Sequence, residues 1–509
     1  MRRSILLLLV FVATPLAAAQ RVVLLSIDGG SDVVLDRLLA SGALKGGAFE
    51  RMARHGFAAA SMTPAAVSST PVSHATMFSG TWPGRHGIAG VNMPGEDLGG
   101  DLRNGFAAPA AVDRLWTVAQ QAGKRVVCIA APGAEATSPA TTCSETIPFN
   151  TISRAQSLGG SGADLASRTE QALGPSPGAA SGPLATTGQI NEEEYVAREE
   201  RFAEYVGNAV KLELARGDWD LLLVYVPIID GLGHRYLLDD PRQAEYGDES
   251  GARRKRFADF IARGYRKMDA ILGSWLAASP DTNFIVVSDH GMVPTHSVVL
   301  LNNALAAAGL RVSGADAEVR AISSGASAQV YVNSKRRFAH GIVADADVPG
   351  VVARITGALR ELRDPLNGRR IIQTLASGSQ LAALHLASAN AGDVYASAAP
   401  GWGFTGRFDP NVPTVVPSTL SPDARARVSR SPAERQFLEK GNHNELSAGV
   451  HGHRPGDPRS QAIFYAIGPA VPRAKGRVAA MVDVAPTVLR ALGVPVPSFM
   501  EGRPLFVAR

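Results

Sequence analysis

Short runs of consecutive apolar residues alternate along the chain with longer segments in which apolar residues recur at helical spacing. The short runs predict strands buried on both faces, and the longer segments predict helices. Strands that alternate with helices indicate βαβ units and a mostly parallel sheet with helices on both faces, which is an α/β fold. The predicted strands occupy 21–27, 124–130, 219–226 and 283–288, and the predicted helices occupy 33–54, 114–123, 192–217 and 253–278.

The alternation weakens in the second half of the chain, where short strand-like pieces replace it. We predict that 295–446 forms a smaller cap region inserted into a core built from 20–294 and 447–509. Within the core, 157–188 is rich in Gly, Ser, Ala and Pro. That composition is typical of a loop-like surface excursion, and it suggests no chemistry.

The first residues have the layout of a secretory signal peptide, with two arginines, an apolar run at 5–12 and small residues at 17–19. Cleavage near Gln20 makes residues 1–19 a signal peptide and predicts an exported protein, periplasmic or secreted. The apolar run is too short for a comfortable membrane anchor, and no later stretch supplies about 20 apolar residues. We therefore predict no membrane span after processing.

Charge and cysteine content exclude some classes of partner and site. The formal net charge is +5, and it falls to +3 without the two arginines of the signal segment, which is too mild for a nucleic-acid-binding surface. Two cysteines cannot build a zinc finger. Cys128 and Cys143 can pair across a short loop in an oxidising compartment, or Cys128 can stay unpaired in its strand, and the spacing leaves both open.

Three of the predicted strands lead into an aspartate, namely Asp28, Asp230 and Asp289. The carboxyl ends of parallel strands meet at one edge of a sheet, where ligands of such folds bind. Three carboxylates at that edge repel one another unless cations hold them. The sequence therefore predicts a cation site at this edge.

Histidines accompany two of these aspartates and occur again late in the chain. His234 follows the second aspartate by four residues, His290 follows the third directly, and the motif "GVHGH" supplies His451. Mixed imidazole and carboxylate ligands suit Zn²⁺ or a similar divalent ion. Two such ions about 4 Å apart can clamp the attacking and leaving oxygens of a phosphoryl transfer.

Thr70 is the candidate nucleophile for such a site. Pro71 follows it, and the next residues can form a helix closed by Gly80, so Thr70 is predicted at the N-cap with Pro71 at N1. A hydroxyl there faces the free N–H groups of the helix, which stabilise a phosphate and an alkoxide. Local sequence alone also fits a simple helix cap; the metal-ligand pattern favours the nucleophile.

Several motifs occur together in a fixed order: "LLSIDGG", "TPVSHATMFSGTWPGRHGI", "PIIDGLGH", "VVSDHGM" and "GVHGH". With them the chain resembles the nucleotide pyrophosphatase/phosphodiesterase (type I phosphodiesterase) family of the alkaline phosphatase superfamily. The likeness covers nearly the whole chain after the signal segment. It implies an alkaline-phosphatase-like fold and a site with two zinc ions.

The resemblance also implies a role for each residue of the site. Thr70, with its oxygen at the second zinc ion, would attack phosphorus in line and form a phosphothreonine, and water would then release the phosphate. His74, His86 and His453 are interpreted as structural. The implied ligands of the first ion are Asp230, His234 and His451, and those of the second are Asp28, Asp289 and His290.

The sequence departs from the family pattern at two places. The family has a Pro two residues after the threonine, whereas here Pro71 follows Thr70 directly, so the start of the helix is predicted to be built differently. The phosphate-binding asparagine of the family lies five residues after the histidine of "HGI", where this chain has Val91. Asn92, the next residue, is predicted as the phosphate-oxygen donor, the alternative being a solvated loop amide.

The choice between monoester and diester follows from a missing pair of cations. Monoesterase relatives carry a Lys and an Arg after the strand that corresponds to 124–130, and here "APGAE" follows instead. A diester carries one negative charge fewer than a monoester, so its transition state depends less on such a pair of cations. We therefore predict a phosphodiesterase that acts on a small-molecule substrate, with nucleotide pyrophosphates among the candidates.

Other activities of the same residues stay open. The alternatives are a phosphomonoesterase, a phosphoryl-group transferase and, more remotely, a non-catalytic metal-binding interaction protein. A sulfatase is excluded because neither cysteine precedes a Pro and an Arg. In the cap, Trp402 and Phe404 can stack on a ligand, although aromatic residues in such a Gly-rich turn more often pack locally.

Overall fold

The computed structural model describes residues 21–134, 142–154, 158, 164–180, 185–247, 250–314, 316–441 and 445–506. The predicted signal peptide, 1–19, lies outside these described residues.

The strands are β1 (Val22–Ile27), β2 (Phe57–Ala58), β3 (Met62–Thr63), β4 (Asn92–Pro94), β5 (Leu102–Asn104), β6 (Val126–Ile129), β7 (Glu145–Ile147), β8 (Leu221–Val226), β9 (Asn283–Val287), β10 (Val293–Leu300), β11 (Val319–Ser324), β12 (Ser327–Val332), β13 (Ile372–Ser377), β14 (Val394–Ala398), β15 (Gly401–Thr405), β16 (Val415–Pro417), β17 (Gly449–Val450), β18 (Phe464–Ile467), β19 (Ala474–Lys475) and β20 (Ala479–Ala480).

The α-helices are α1 (Asp32–Ala40), α2 (Ala48–His55), α3 (Thr70–Ser79), α4 (Pro83–His86), α5 (Leu115–Gln121), α6 (Phe149–Ile152), α7 (Leu165–Leu173), α8 (Glu192–Arg216), α9 (Ile228–Tyr236), α10 (Ala252–Ala278), α11 (Leu301–Ala307), α12 (Val348–Arg360), α13 (Ser379–Ala383), α14 (Pro422–Val428), α15 (Pro432–Glu439) and α16 (Val484–Ala491). Within the described parts of the chain, no helix combines the length and apolar character that a bilayer crossing requires.

The core is a central sheet with the strand order β19-β2-β18-β9-β1-β8-β6-β7. The strands from β9 to β7 are parallel to one another, and β18 is antiparallel to β9. Because side chains alternate along a strand, Val23 and Leu25 of β1 pack on one face with α8 and α10, whereas Val22 and Leu24 pack on the other with α5 and α16. This confirms the predicted α/β fold with a mostly parallel sheet and helices on both faces.

The helical pattern predicted at 33–54 is interrupted in the structure. It forms two helices, α1 and α2, separated by a turn that contains Gly42 and Gly46. Both glycines have positive φ angles, 78° and 76°, a backbone conformation that ends a right-handed helix. The periodicity of the side chains continues across this turn, which is why the pattern alone predicts one helix.

The Gly- and Pro-rich segment 157–188 contains a helix where the composition predicts a loop. Asp164 caps α7 by accepting a hydrogen bond from the backbone N–H of Ser167 at 2.7 Å. Leu158 and Leu165 are buried in the same hydrophobic cluster as α8. The described part of this segment therefore packs on the core, because one capped helix offers enough apolar side chains to do so.

Two smaller sheets form mainly from the stretch predicted as a cap region, with β17 and the first residues of β10 lying outside its predicted bounds. One has the order β11-β12-β14-β13, is antiparallel, and packs with α12 around its own hydrophobic cluster. A second joins β10 to β15, β16 and β17. Trp402 and Phe404 of β15 are buried in the hydrophobic cluster around the sheet β11-β12-β14-β13, so they pack locally.

Cys128 and Cys143 form a disulfide, with 6.0 Å between their Cα atoms. The bond ties β6 to the residues before β7 and closes a loop with a sequence separation of 15. Loop closure of this length stabilises a folded chain by about 3 kcal/mol because it restricts the unfolded chain. This settles the alternatives that the cysteine spacing leaves open.

We expect the paired serine variant, Cys128→Ser with Cys143→Ser, to lose about 3 kcal/mol in the free energy of unfolding. Urea denaturation with and without a reducing agent measures this loss. The wild type should become less stable in reductant, and the serine variant should not respond. A wild type that is equally stable with and without reductant contradicts the expectation.

Candidate active site

Strand order brings the three aspartates together. β1 lies between β8 and β9 and is parallel to both. Asp28 follows β1 directly, Asp289 follows β9 by two residues, and Asp230 lies in the first turn of α9, which begins after β8. The approach is close at Gly29, whose φ is +69° and where a Cβ would lie 2.7 Å from the Cα of Asp230. The glycine after Asp28 is therefore needed for this geometry.

Each of two aspartates uses one oxygen within the protein and keeps the other without a hydrogen bond. Asp28 Oδ2 accepts hydrogen bonds from the Tyr225 hydroxyl and from Thr70 Oγ1, the latter at 3.3 Å. Asp289 Oδ1 accepts the backbone N–H of Gly29 at 3.1 Å. Among the residues that the structure describes, the buried atoms Asp28 Oδ1, Asp289 Oδ2 and Asp230 Oδ1 have no hydrogen-bond partner. Buried carboxylate oxygens in this state are suited to bind cations.

The three histidines are fixed in the same tautomer. The Nδ1–H of His234 donates to Gly449 O at 2.8 Å, that of His290 to Gly291 O at 3.2 Å, and that of His451 to Ser68 O at 2.8 Å. A carbonyl can only accept, so Nδ1 carries the proton and Nε2 presents a lone pair. This is the arrangement in which protein histidines bind metal ions.

The donor atoms of these residues form two compact groups, each within 4.8 Å: Asp28, Asp289 and His290 in one, and Asp230, His290 and His451 in the other. His290 Nε2 lies 3.2 Å from Asp289 Oδ2 and 3.4 Å from Asp28 Oδ1. His234 Nε2 lies 3.4 Å from Asp230 Oδ1, and His451 Nε2 lies 4.0 Å from the same oxygen. The structure thus brings all six predicted ligands to one place, with His290 between the groups.

Burial disfavours the charged forms of the three aspartates and of two of the histidines, His290 and His451. Burial, with the nearby charge of Asp289, raises the pKa of Asp28 well above its ordinary value. Burial also raises the pKa of Asp230, and it raises that of Asp289 to about 7. The same burial lowers the pKa of His451 to about 4. Clustered carboxyl groups with raised pKa values and neutral imidazoles are typical of sites that perform chemistry.

Thr70 is the first residue of α3, and its hydroxyl points to this cluster through its bond to Asp28. The helix begins one residue earlier than the sequence predicts, with Ser69 as N-cap and Thr70 at N1. Ser69 and Thr70 are both good capping residues, so the sequence alone could not separate them. Gly80 closes the helix with φ +63°, as predicted.

A sequence comparison decides the family. The sequence model of the family described as type I phosphodiesterase / nucleotide pyrophosphatase matches residues 22–425. The chain belongs to this family. It is thereby a hydrolase of the phosphodiesterase type, as the motifs suggest. None of the curated protein sequences matches the chain.

Solved structures of ectonucleotide pyrophosphatase / phosphodiesterase 5 share the fold. The human protein is 14% identical, with 96% of this chain and 97% of that chain covered and a TM-score of 0.55. The murine protein is 15% identical, with 94% and 96% covered and a TM-score of 0.54. An inactive murine variant in complex with AMP gives the same identity, coverage and TM-score. The alkaline-phosphatase-like fold predicted for this phosphodiesterase is confirmed.

Two of the histidines interpreted as structural are bound within the protein. His74 donates from Nδ1 to Thr70 O at 2.8 Å and accepts from Ser26 Oγ at Nε2, also at 2.8 Å. His86 accepts the N–H of Ile88 at Nδ1 and donates from Nε2 to Thr76 Oγ1 of α3 at 3.0 Å. His453 is buried as well.

Asn92 lies beside a cavity outside the cluster of metal-ligand candidates. It begins β4, is partly exposed, and lines a cavity with Arg320, Ser323 and Gly406 that none of the six candidate ligands line. Val91, at the family's asparagine position, donates its backbone N–H to Ser324 Oγ at 3.0 Å. The role of Asn92 as a phosphate-oxygen donor stays a prediction.

The sequence misses two groups that complete the site. Tyr225, in β8, holds Asp28 through its hydroxyl, and the carbonyl of Ser68 orients the ring of His451. An aromatic hydroxyl inside the otherwise apolar strand "LLLVYV" is the one signal that could have pointed to Tyr225. No feature of the sequence indicates that the carbonyl of Ser68 has this role.

Proposed function

We propose that this phosphodiesterase is an exported two-zinc hydrolase that cleaves phosphodiester bonds through a phosphothreonine intermediate on Thr70. The observation that carries the proposal is the geometry of the donors. In the described part of the chain, buried carboxylate oxygens without hydrogen bonds lie beside imidazole nitrogens and one helix-starting hydroxyl.

The residues present fit two divalent cations. Asp28, Asp289 and His290 would hold one, together with Thr70, and Asp230, His234 and His451 would hold the other. The mixture of oxygen and nitrogen donors suits Zn²⁺. Zinc, when bound, supplies positive charge to the phosphate oxygens and lowers the pKa of coordinated oxygen atoms.

The chain itself orients the nucleophile. Asp28 Oδ2 accepts the Thr70 hydroxyl proton in a hydrogen bond and is itself held by Tyr225, so the oxygen of Thr70 is directed to the cluster. The His74 ring fixes the Thr70 carbonyl on one side and Ser26 on the other. Thr70 lies at the N-terminal end of α3, where the helix dipole would favour the negative charge of a bound phosphate.

Preference for diesters and for nucleotides is part of the proposal. The residues after β6, 131–134, contain no Lys or Arg to balance the extra charge of a monoester. A nucleotide substrate is supported by the AMP bound to the inactive murine ectonucleotide pyrophosphatase / phosphodiesterase 5. Export to the periplasm or the medium is supported by the signal-like first residues and by the disulfide.

Hydrolysis of a matched pair of chromogenic substrates tests the proposal. We expect the zinc-loaded protein to cleave bis(4-nitrophenyl) phosphate with a kcat/KM at least about tenfold above that for 4-nitrophenyl phosphate, because the site lacks a monoester clamp. A faster monoester reaction would identify a phosphomonoesterase. Failure to release nitrophenol from either substrate in water would indicate a transferase or a binding protein.

A further inference from the structure

Arg114 is a buried cation without a carboxylate within ion-pair distance in the described part of the chain. It is 8% exposed. Its two hydrogen bonds go to backbone carbonyls, from Nη1 to Gly133 O at 2.9 Å and from Nη2 to Ala108 O at 3.4 Å. Burial lowers the pKa of Arg114 only to about 10, so it is charged at neutral pH. A buried charge without a counter-charge is costly, and an anionic ligand would offset that cost.

The backbone is built around this guanidinium. Gly133 has a φ of +79°, and a Cβ at that position would lie 1.8 Å from Arg114 Nη1. On another side, the guanidinium carbon lies 5.3 Å from the centre of the Trp116 ring, close enough for a cation–π contact. The side chain is therefore held in one place by a glycine, two carbonyls and an aromatic ring.

Arg114 lines a cavity of about 610 Å³ whose other walls are mainly apolar, among them Phe106, Val112, Trp116 and Phe499. The other charged residue of the lining, Asp113, is exposed. This volume suits an organic group of drug size. An apolar cavity with one fixed guanidinium is suited to an organic group that carries an anion, because a guanidinium binds carboxylate and phosphoryl oxygens with two parallel hydrogen bonds.

The cavity adjoins the helix that carries the nucleophile. A Cβ on Gly105, which precedes the cavity residue Phe106, would lie 3.3 Å from Cβ of Pro71, the residue after Thr70. A second wall residue, Ala111, donates its N–H to the carbonyl of His86 at 2.9 Å, and the His86 ring is bonded to α3. The loop that forms this wall of the cavity therefore packs along the helix that begins at Thr70.

We infer that this cavity binds one organic substituent of the phosphodiester, and that Arg114 pairs with a second anionic group, a carboxylate or a phosphoryl group, on that substituent. The inference rests on the proposed function and names its substrate class: diesters with a charged group away from the scissile bond. Arg114 acts in specificity, at a distance from the reacting atoms.

Binding to the full-length, zinc-loaded Thr70→Ala variant tests the inference without turnover. The probes are 4-nitrophenyl benzyl phosphate and its 4-carboxybenzyl and 4-phosphonobenzyl counterparts, with Kd measured by calorimetry. We expect at least one charged probe to bind about tenfold or more tightly than the benzyl probe, and which one does so identifies the anion. Adding Arg114→Met should abolish that difference, whereas Arg490→Met, which removes an exposed charge elsewhere, should preserve it.

Further variants keep the test decisive if Arg114→Met does not fold. Arg114→Lys keeps the charge but loses the two-pronged geometry, so the preference should fall, and Ala110→Phe, which fills the cavity, should weaken all three probes. Equal Kd values for the three probes, or an unchanged preference in the Arg114 variants, overturn the inference. A loss of inorganic phosphate binding in Arg114→Met also overturns the inference, because it would place Arg114 at the reacting phosphate. Failure of the proposed function shows separately, as absent hydrolysis by the wild type.

Discussion

Replacing Thr70 by alanine is expected to lower kcat/KM for bis(4-nitrophenyl) phosphate by at least about a thousandfold. The variant removes the only hydroxyl that donates to Asp28 from the start of α3, and hence the atom proposed to attack phosphorus. Steady-state hydrolysis measures the loss. A brief reaction of the wild type, stopped in acid and digested, should also yield a peptide with a phosphoryl group on Thr70.

The matched control for this variant is Thr70→Ser, which keeps a hydroxyl at the same position. It should keep much of the activity, and both variants should bind zinc, because each predicted ion keeps three side chains of the protein. If Thr70→Ala hydrolyses the diester at the wild-type rate, the nucleophile is a different group.

Asp289→Asn is expected to change stability in opposite directions with and without zinc. Burial raises the pKa of Asp289 from 3.8 to about 7. Between about pH 4 and about pH 7 the metal-free protein therefore holds a proton on this carboxyl when folded and releases it when unfolded, so the free energy of unfolding falls as the pH rises through this range. At pH 8 the asparagine variant lacks that buried charge, and it should be more stable by on the order of 1 to 3 kcal/mol. In the zinc-loaded protein the same change removes a ligand and should destabilise the fold.

Thermal and urea unfolding of zinc-loaded and chelator-treated protein at pH 8 measures both effects. The variant should also lose at least about a hundredfold in kcat/KM, because one cation is bound poorly. Asp259→Asn, which alters an exposed carboxylate of α10, is the control and should shift stability equally in both conditions. A destabilised Asp289→Asn variant without metal would show that the carboxylate is structural.

The sequence predicts the core of this fold well because its signals are local. Runs such as "VVLLSI" and "LLLVYV" form β1 and β8, and the rule that parallel strands share an edge brings Asp28, Asp230 and Asp289 together. The helix of Thr70 is predicted to within one residue. Where two adjacent hydroxyl residues can both cap it, the local signal cannot choose between them.

The contacts between distant segments are what the sequence does not contain. The bond of Tyr225 to Asp28 and that of His451 to the Ser68 carbonyl depend on how β8 and the late histidine loop pack against the rest. No motif distinguishes Arg114 from the other arginines of the sequence. Only the fold places it against Gly133, with no carboxylate beside it in the described chain. The turn at Gly42 and Gly46 likewise needs backbone angles that periodicity does not report.

Anomalous X-ray diffraction at the zinc edge, on crystals grown with zinc, tests the central claim most directly. We predict two anomalous peaks about 4 Å apart, one bounded by Asp28, Asp289, His290 and Thr70 and the other by Asp230, His234 and His451. A single peak, or peaks bound by other residues while this cluster stays empty, would contradict the account.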